Sequence, residues 1–326
     1  MVHILSDYIL TIDIGGTQIR VATVERSGNI VTKSSIKTEA DLGKTSMIER
    51  LVKQLESVIE NSNKRSLLAI AAGVAGPTDI CSGIMHNPPH LPAWHQFSLK
   101  KYLGEQFDCP VFIANDATFA AIGEYRHGFD KKYNNLVYLT ISTGIGGGLI
   151  LGRHPQFGSR GYSGEFGHML MVPNGPKCDC GGNGCLESLA SGSAIARQGI
   201  EAVRLSKSTI LIELCNGQIE QISAETVSKA ARLGDEISKS IFEQAGMYLG
   251  IGISNLAISL DPDIIVIGGG LSNSLDLMME SVNKQIELLV NSYFGPSTLV
   301  VKSKLGDDAG LLGAATYAFQ QTDSEG

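Results

Sequence analysis

Three cysteines, Cys178, Cys180 and Cys185, fall within eight residues, with glycines at 181, 182 and 184. Glycines let a loop fold tightly around an ion. Zinc takes four soft or borderline ligands in a tetrahedron, and His168, ten residues upstream, is the nearest histidine to complete the set. A site closed by four side chains is structural, with no open position for a catalytic water. Free thiols or a local disulfide are the plainer alternatives. The N-terminus lacks the basic flank and apolar core of a secretion signal, so a metal site is read ahead of a disulfide framework.

Two turns have the chemistry of phosphate binding. Gly15-Gly16-Thr17 and Thr143-Gly144-Ile145-Gly146 each set a threonine hydroxyl beside glycines, whose backbone N–H groups nothing bulky shields. Asp13, just upstream of the first turn, is placed to contact a metal ion or its water. Either turn alone reads as an ordinary hairpin. The pair, with Gly268-Gly269-Gly270 after an apolar strand, reads as a nucleotide site. No Gly-x-x-x-x-Gly-Lys-Ser/Thr run is present, which excludes a P-loop, and no Gly-x-Gly-x-x-Gly opens a helix after the first strand. Asn115-Asp116 ends a short apolar strand and opens an Ala-rich segment. From those residues alone a helix N-cap is the preferred reading.

The elements that must position these residues are spread over 326 residues, 43% hydrophobic and 18% charged, with net charge −7. That is a globular composition, long enough for two domains. The acidic balance argues against nucleic acid or an anionic membrane as main partner. No run of 18 apolar residues occurs, so no membrane span is expected and the chain reads as cytoplasmic. Strands are predicted at Tyr8–Asp13, Ile19–Val24, Leu67–Val74, Val111–Ala114, Leu136–Ile141, Gly147–Leu151, Ile264–Ile267 and Leu299–Val301. Helices are predicted around Ile48–Ile59, after Asp116, and over Ser188–Val203, Ala224–Ala231, Asp235–Leu260, Leu275–Val290 and Gly310–Phe319. Gly246, Gly250 and Gly252 would let another backbone approach the longest of these. Thr322–Gly326 reads as a frayed tail, and Cys81, Cys109 and Cys215 as small buried hydrophobes. This alternation indicates an α/β protein of two lobes.

Asp13-Ile14-Gly15-Gly16-Thr17, Asn115-Asp116, Gly164-Glu165-Phe166-Gly167-His168 and Cys178-x-Cys-Gly-x-x-Gly-Cys185-Leu-Glu187 occur in this order. Together they resemble the ROK family of sugar kinases and sugar-responsive repressors, over about residues 8 to 319. The resemblance implies an actin-like, ribonuclease-H-like two-lobed ATPase fold, with ATP and sugar held between α/β lobes. It places the small lobe at 1–116 plus 309–326, and the large lobe, with the zinc loop, at 117–308. It implies transfer of the ATP γ-phosphate, with Mg2+, to a hexose hydroxyl, and a dimer or tetramer.

The resemblance also assigns residues. Asp116 becomes the general base, with Asn115 orienting the hydroxyl. Glu165 and Glu187 become sugar ligands, and His168 both binds zinc and faces the sugar. Gly76 and the segment Asn87–Trp94 match a second sugar loop. There His90-Leu91-Pro92-Ala93-Trp94 stands where glucose-specific members read Asn-Leu-Pro-Gly-Trp, so His90, or Asn87 through its amide, is expected to meet the sugar. Gln18 stands where many members carry Lys. Asp13, Gly15, Gly16, Thr17, Gln18, Thr143, Gly144 and Gly269 form the expected nucleotide set. Glucose is the first expectation, N-acetylmannosamine or N-acetylglucosamine the alternative. A repressor would carry a helix-turn-helix before the first phosphate turn, for which Gly15 leaves no room.

Overall fold

The computed structural model describes residues 7–62, 66–86, 88, 91–205, 209–295 and 299–324. Asn87 and His90 lie outside the described residues. In chain order the first elements are β1 (Tyr8–Ile14), β2 (Gln18–Glu25), β3 (Ile30–Lys37), α1 (Gly43–Glu60), β4 (Leu67–Val74), α2 (Leu99–Phe107), β5 (Val111–Asn115) and α3 (Asp116–Gly123). Then come β6 (Leu136–Ile141), β7 (Ile145–Leu151), β8 (His154–Pro155), α4 (Leu186–Ala190), α5 (Gly192–Arg204), α6 (Thr209–Leu214), α7 (Ala224–Arg232) and α8 (Glu236–Leu260). The chain closes with β9 (Ile264–Gly268), α9 (Met279–Ile286), α10 (Ser292–Phe294), β10 (Leu299–Lys302) and α11 (Ala309–Ser324).

One sheet has the order β3-β2-β1-β4-β5 and the other β10-β9-β6-β7-β8. In the first, β1–β2 and β2–β3 are antiparallel, while β1–β4 and β4–β5 are parallel. β1 and β4 are near-continuous apolar runs because a central strand is covered on both faces. Leu10, Ile12, Ile70 and Ala72 pack with Met47, Leu51 and Leu55 of α1 in one core cluster. β3 escaped the sequence because Ile30–Lys37 is largely polar, as suits a strand at a sheet edge. α2, also unanticipated, is capped by Ser98, whose side chain accepts from Lys101 N–H.

By contact density the chain divides into two compact units. The first holds residues 1–138, 148–164 and 304–326; the second holds 139–147 and 165–303. This division falls elsewhere than the expected lobe boundary at 116/117. α3 belongs with α11, because Gly123 and Gly313 bring the two helices into backbone contact.

Most predicted elements are present, with shifted limits. β7 begins at Ile145 rather than Gly147. The predicted helix 188–203 is two, broken at Ser191, whose side chain caps α5 through Ala194 N–H. The predicted 275–290 helix is a 3-10 turn, then α9, then a π-turn. The tail is helical to Ser324, and Arg26 holds Asp323 through two hydrogen bonds of 2.6 and 2.9 Å. Of the scattered cysteines only Cys215 is buried; Cys81 is exposed and Cys109 half-buried. The glycines of α8 do admit close neighbours: a Cβ on Gly246 would meet the Met278 carbonyl at 2.6 Å, and one on Gly250 would lie 2.9 Å from Val282 Cα. Among the described residues no helix is long and apolar enough to cross a membrane.

Candidate active site

In the first unit the parallel strands β1, β4 and β5 end together. Asp13 pairs with Gly73 across β1–β4, Gly73 with Ala114 across β4–β5, and Asp116 follows directly after β5. Gly73 allows a close approach there, since a Cβ would lie 3.3 Å from Asp116 Cα. A Cβ on Gly310, in the first turn of α11, would lie 3.8 Å from Asp13 Cγ and 4.0 Å from the Asp116 carbonyl. So Asp13 and Asp116 share the carboxyl end of a parallel sheet, where α/β proteins place ligands.

The α3 cap is Asn115. Its side chain accepts from Ala117 N–H at 2.9 Å, and its backbone is extended. Asp116, the first helical residue, also accepts from Ala117 N–H at 2.8 Å through Oδ1 and is half-buried. Capping is therefore met by Asn115 and does not by itself account for Asp116. Asp13 lies opposite Arg20 in the β1–β2 ladder, and Arg20 donates to its Oδ2 at 3.0 Å. Burial pushes the Asp13 carboxyl up, against the pull of the Arg20 guanidinium.

The first glycine turn is braced from behind. Gly15 N–H donates to the Gln18 carbonyl, while Thr38 donates to the carbonyls of Gly15 and Thr17, leaving Gly16 and Thr17 exposed at the tip. Gly76 lies just past β4 with a φ of 104°, a left-handed value that suits glycine. Of the second expected sugar loop, Trp94 is buried and packs edge-on against Phe97.

The second unit gathers the other expected residues. Ser142–Gly144 form the turn between β6 and β7. Gly192 N–H donates to the Ser142 carbonyl and Ser193 N–H to that of Thr143, so the start of α5 sits against the turn. Gly269, with φ 80°, lies where a Cβ would meet the Ile141 carbonyl at 2.4 Å. Gly269 thus sits against the end of β6, from which the turn with Thr143 and Gly144 leaves.

His168, Cys178, Cys180 and Cys185 present ligand atoms that all lie within 4.8 Å of one another. Cys180 Sγ and Cys185 Sγ are 3.7 Å apart, and Cys178 Sγ is 3.5 Å from His168 Nδ1. Zinc–sulfur and zinc–nitrogen bonds of ~2.3 and ~2.0 Å put tetrahedral ligands about 3.8 and 3.5 Å apart. The donor set and its spacing therefore fit zinc. Burial pushes the Cys178 and Cys185 thiols up. The other imidazole nitrogen, Nε2, lies 3.7 Å from Glu165 Oε2. Burial raises the Glu165 carboxyl, which His168 opposes and Glu187 reinforces.

Glu187, in α4, reaches the turn: its Oε2 accepts from Ile145 N–H at 2.8 Å, and its Oε1 lies 3.6 Å from Cys178 Sγ. Reasoning from sequence missed this contact, and it missed Arg20 and Gly310. Arg20 was within reach. A hairpin turning at Gly16-Thr17 pairs 15 with 18 and so 13 with 20. Gly310 carried no local signal.

These sites stand on an actin-like α/β ATPase fold. The family model described as ROK family matches residues 9–321, and the chain belongs to the ROK family. It is 33% identical to a glucokinase of Streptomyces coelicolor over 94% of this chain and 96% of that protein. It is also 33% identical to an N-acetylmannosamine kinase of Haemophilus influenzae, over 94% of each chain. A ROK family glucokinase from Streptomyces griseus, solved in complex with glucose and AMPPNP, superposes with a TM-score of 0.85 at 30% identity. That match covers 96% of this chain and 99% of the other.

Proposed function

We propose that the protein is an ATP-dependent hexose kinase acting on glucose to give glucose 6-phosphate. The observation that carries the reading is Asp116, a half-buried carboxylate at the carboxyl end of the parallel strands, beside Asp13 and on a helix already capped by Asn115. A sugar hydroxyl is a poor nucleophile until a base accepts its proton. In the proposed step the hydroxyl oxygen forms a bond to the γ-phosphorus and the bond to the β-phosphate oxygen breaks. The hydroxyl proton passes to Asp116, and ADP leaves.

Mg2+ on the nucleotide would neutralise phosphate charge, with Asp13 the residue to contact the ion or its water. Gly15, Gly16, Thr17, Gln18, Thr143, Gly144 and Gly269 would be the nucleotide-binding set. Glu165, His168 and Glu187 would meet sugar hydroxyls, with Gly76, Asn87 and His90 as the further sugar loop. His168, Cys178, Cys180 and Cys185 would hold one structural zinc per chain. The enzyme would work in the cytoplasm as a homodimer or homotetramer, without nucleic acid.

A second reading, an N-acetylmannosamine kinase, is favoured by the equal identity to a relative of that name. A panel of glucose, N-acetylmannosamine and N-acetylglucosamine with ATP and Mg2+, read by ADP release, decides. The highest kcat/KM should fall on glucose; turnover of N-acetylmannosamine alone replaces the first reading with the second, and turnover of N-acetylglucosamine alone overturns both. Metal analysis should find about one zinc per chain, and Cys180→Ser should lower metal content and sugar affinity together.

A further inference from the structure

Three segments with different expected tasks meet at Ile145. Its N–H donates to Glu187 Oε2 at 2.8 Å. Its carbonyl lies where a Cβ on Gly167 would be, at 2.0 Å, so the Glu165–His168 loop can pass only as glycine there. The same Glu187 Oε2 stands 2.4 Å from where a Gly144 Cβ would project, filling the space beside the turn. Its other oxygen faces Cys178 Sγ at 3.6 Å.

Glu187 is also tied to the cysteine loop through its own helix. Cys185 immediately precedes α4, and its carbonyl accepts from Ser188 Oγ at 2.8 Å. Leu186 N–H donates to the Met169 carbonyl at 2.9 Å, and Leu170 bridges to Cys185. The middle of the helix is held by Arg197, which donates to the Ser188 carbonyl at 2.6 Å. A metal held by Cys185 and Cys178 would fix the start of α4. That fixes the Glu187 carboxylate and, through it, Ile145 N–H and the turn behind it.

We propose that Glu187 is a positioning residue that couples the cysteine site to the Thr143–Gly146 turn, so that filling the site tightens nucleotide binding. The proposal rests on reading that turn as phosphate-binding. It assigns Glu187 work at the nucleotide end in addition to any contact with sugar. The coupling needs no movement of large elements, only the ordering of one short helix and one turn.

The test is calorimetric titration of a non-hydrolysable ATP analogue, without sugar, into zinc-loaded and chelator-stripped protein. It compares the parent, Glu187→Gln and Glu187→Ala. Stripping should weaken analogue binding to the parent by about tenfold, within the usual span of such couplings. Glu187→Ala should start about tenfold weak and lose less than twofold on stripping, because the link is already cut. Glu187→Gln, whose amide oxygen can still accept from Ile145 N–H, should stay within about threefold of the parent and keep its response to stripping. Glu187→Ala binding as tightly as the parent overturns the proposal. So do losses from substitution and stripping that simply multiply. A parent that binds no nucleotide removes the phosphate reading and the proposal with it. If zinc never binds, the metal reading fails by itself, the coupling is refuted, and Glu187→Ala against parent reports the turn contact alone.

Discussion

Asp116 is where two explanations of one residue come apart. As a helix cap it would matter for stability; as a base it would matter for turnover. Asn115 provides the cap, with its side chain on Ala117 N–H. Asp116→Asn should therefore cut turnover by about 10²–10⁴ at saturating substrates, the usual worth of a general base. Its thermal midpoint should stay within a degree or two. Asn115→Ala should do the opposite in stability, costing about 1 kcal/mol through the lost cap. Near-parental turnover in Asp116→Asn would remove Asp116 from the chemistry. At this scale the sequence was readable wherever a residue type carries its own chemistry: the thiols, the Asn-Asp pair and the glycine turns were all singled out. It was not readable where meaning comes from a partner. Arg20 is an ordinary strand arginine until the ladder sets it against Asp13, and Glu187, singled out for sugar by the resemblance, gives no sign of the turn until Ile145 N–H is in reach.

Among elements, the pairing of α3 with α11 does most to define the Asp13–Asp116 end of the first unit, because Gly310, in the first turn of α11, lies beside the Asp13 carboxylate and the Asp116 backbone carbonyl. The two helices touch backbone to backbone. A Cβ on Gly313 would lie 1.7 Å from the Phe119 carbonyl oxygen, and one on Gly123 would lie 2.1 Å from that of Ala309. Gly313→Ala should therefore destabilise by about 1–3 kcal/mol or more through overpacking, and should lower activity by shifting Gly310. Gly104→Ala in α2 is the opposite case, since its new methyl would meet only ordinary contacts at 3.8 Å. Its better helix propensity should raise stability by about 0.5–1 kcal/mol. Thermal melts of both variants check the opposed signs. Element types were legible from apolar runs and periodicity, as in β1, β4 and α8. Polar β3, the break at Ser191 and the small α2 were not, because sheet-edge position, a capping serine and local packing decided them rather than pattern.

For the molecule as a whole the cysteine site is expected to act as a local device and not to carry the fold. The first sheet has its own apolar cluster, and in the second unit every residue of β9 is buried. A small zinc finger, lacking such a core, is unfolded without its metal. Here removal of zinc by a chelator should leave far-UV circular dichroism nearly unchanged while loosening the segment from about 170 to 185. That segment carries a trypsin site in the right place: Lys177 is exposed, on a short loop whose backbone is held by an isolated bridge to Asn183, the Gly184 N–H to Pro176 carbonyl bond and the turn at Cys178–Gly182. Trypsin should cut after Lys177 slowly in zinc-loaded protein and at least about tenfold faster after stripping, since proteolysis follows the population of the locally open form. Added zinc should restore protection. Cys180→Ser should show the fast rate from the outset. Loss of the whole circular dichroism signal on stripping would mean that the metal carries the global fold. An unchanged cleavage rate would mean that the four side chains close the loop without an ion, and the zinc assignment would fall.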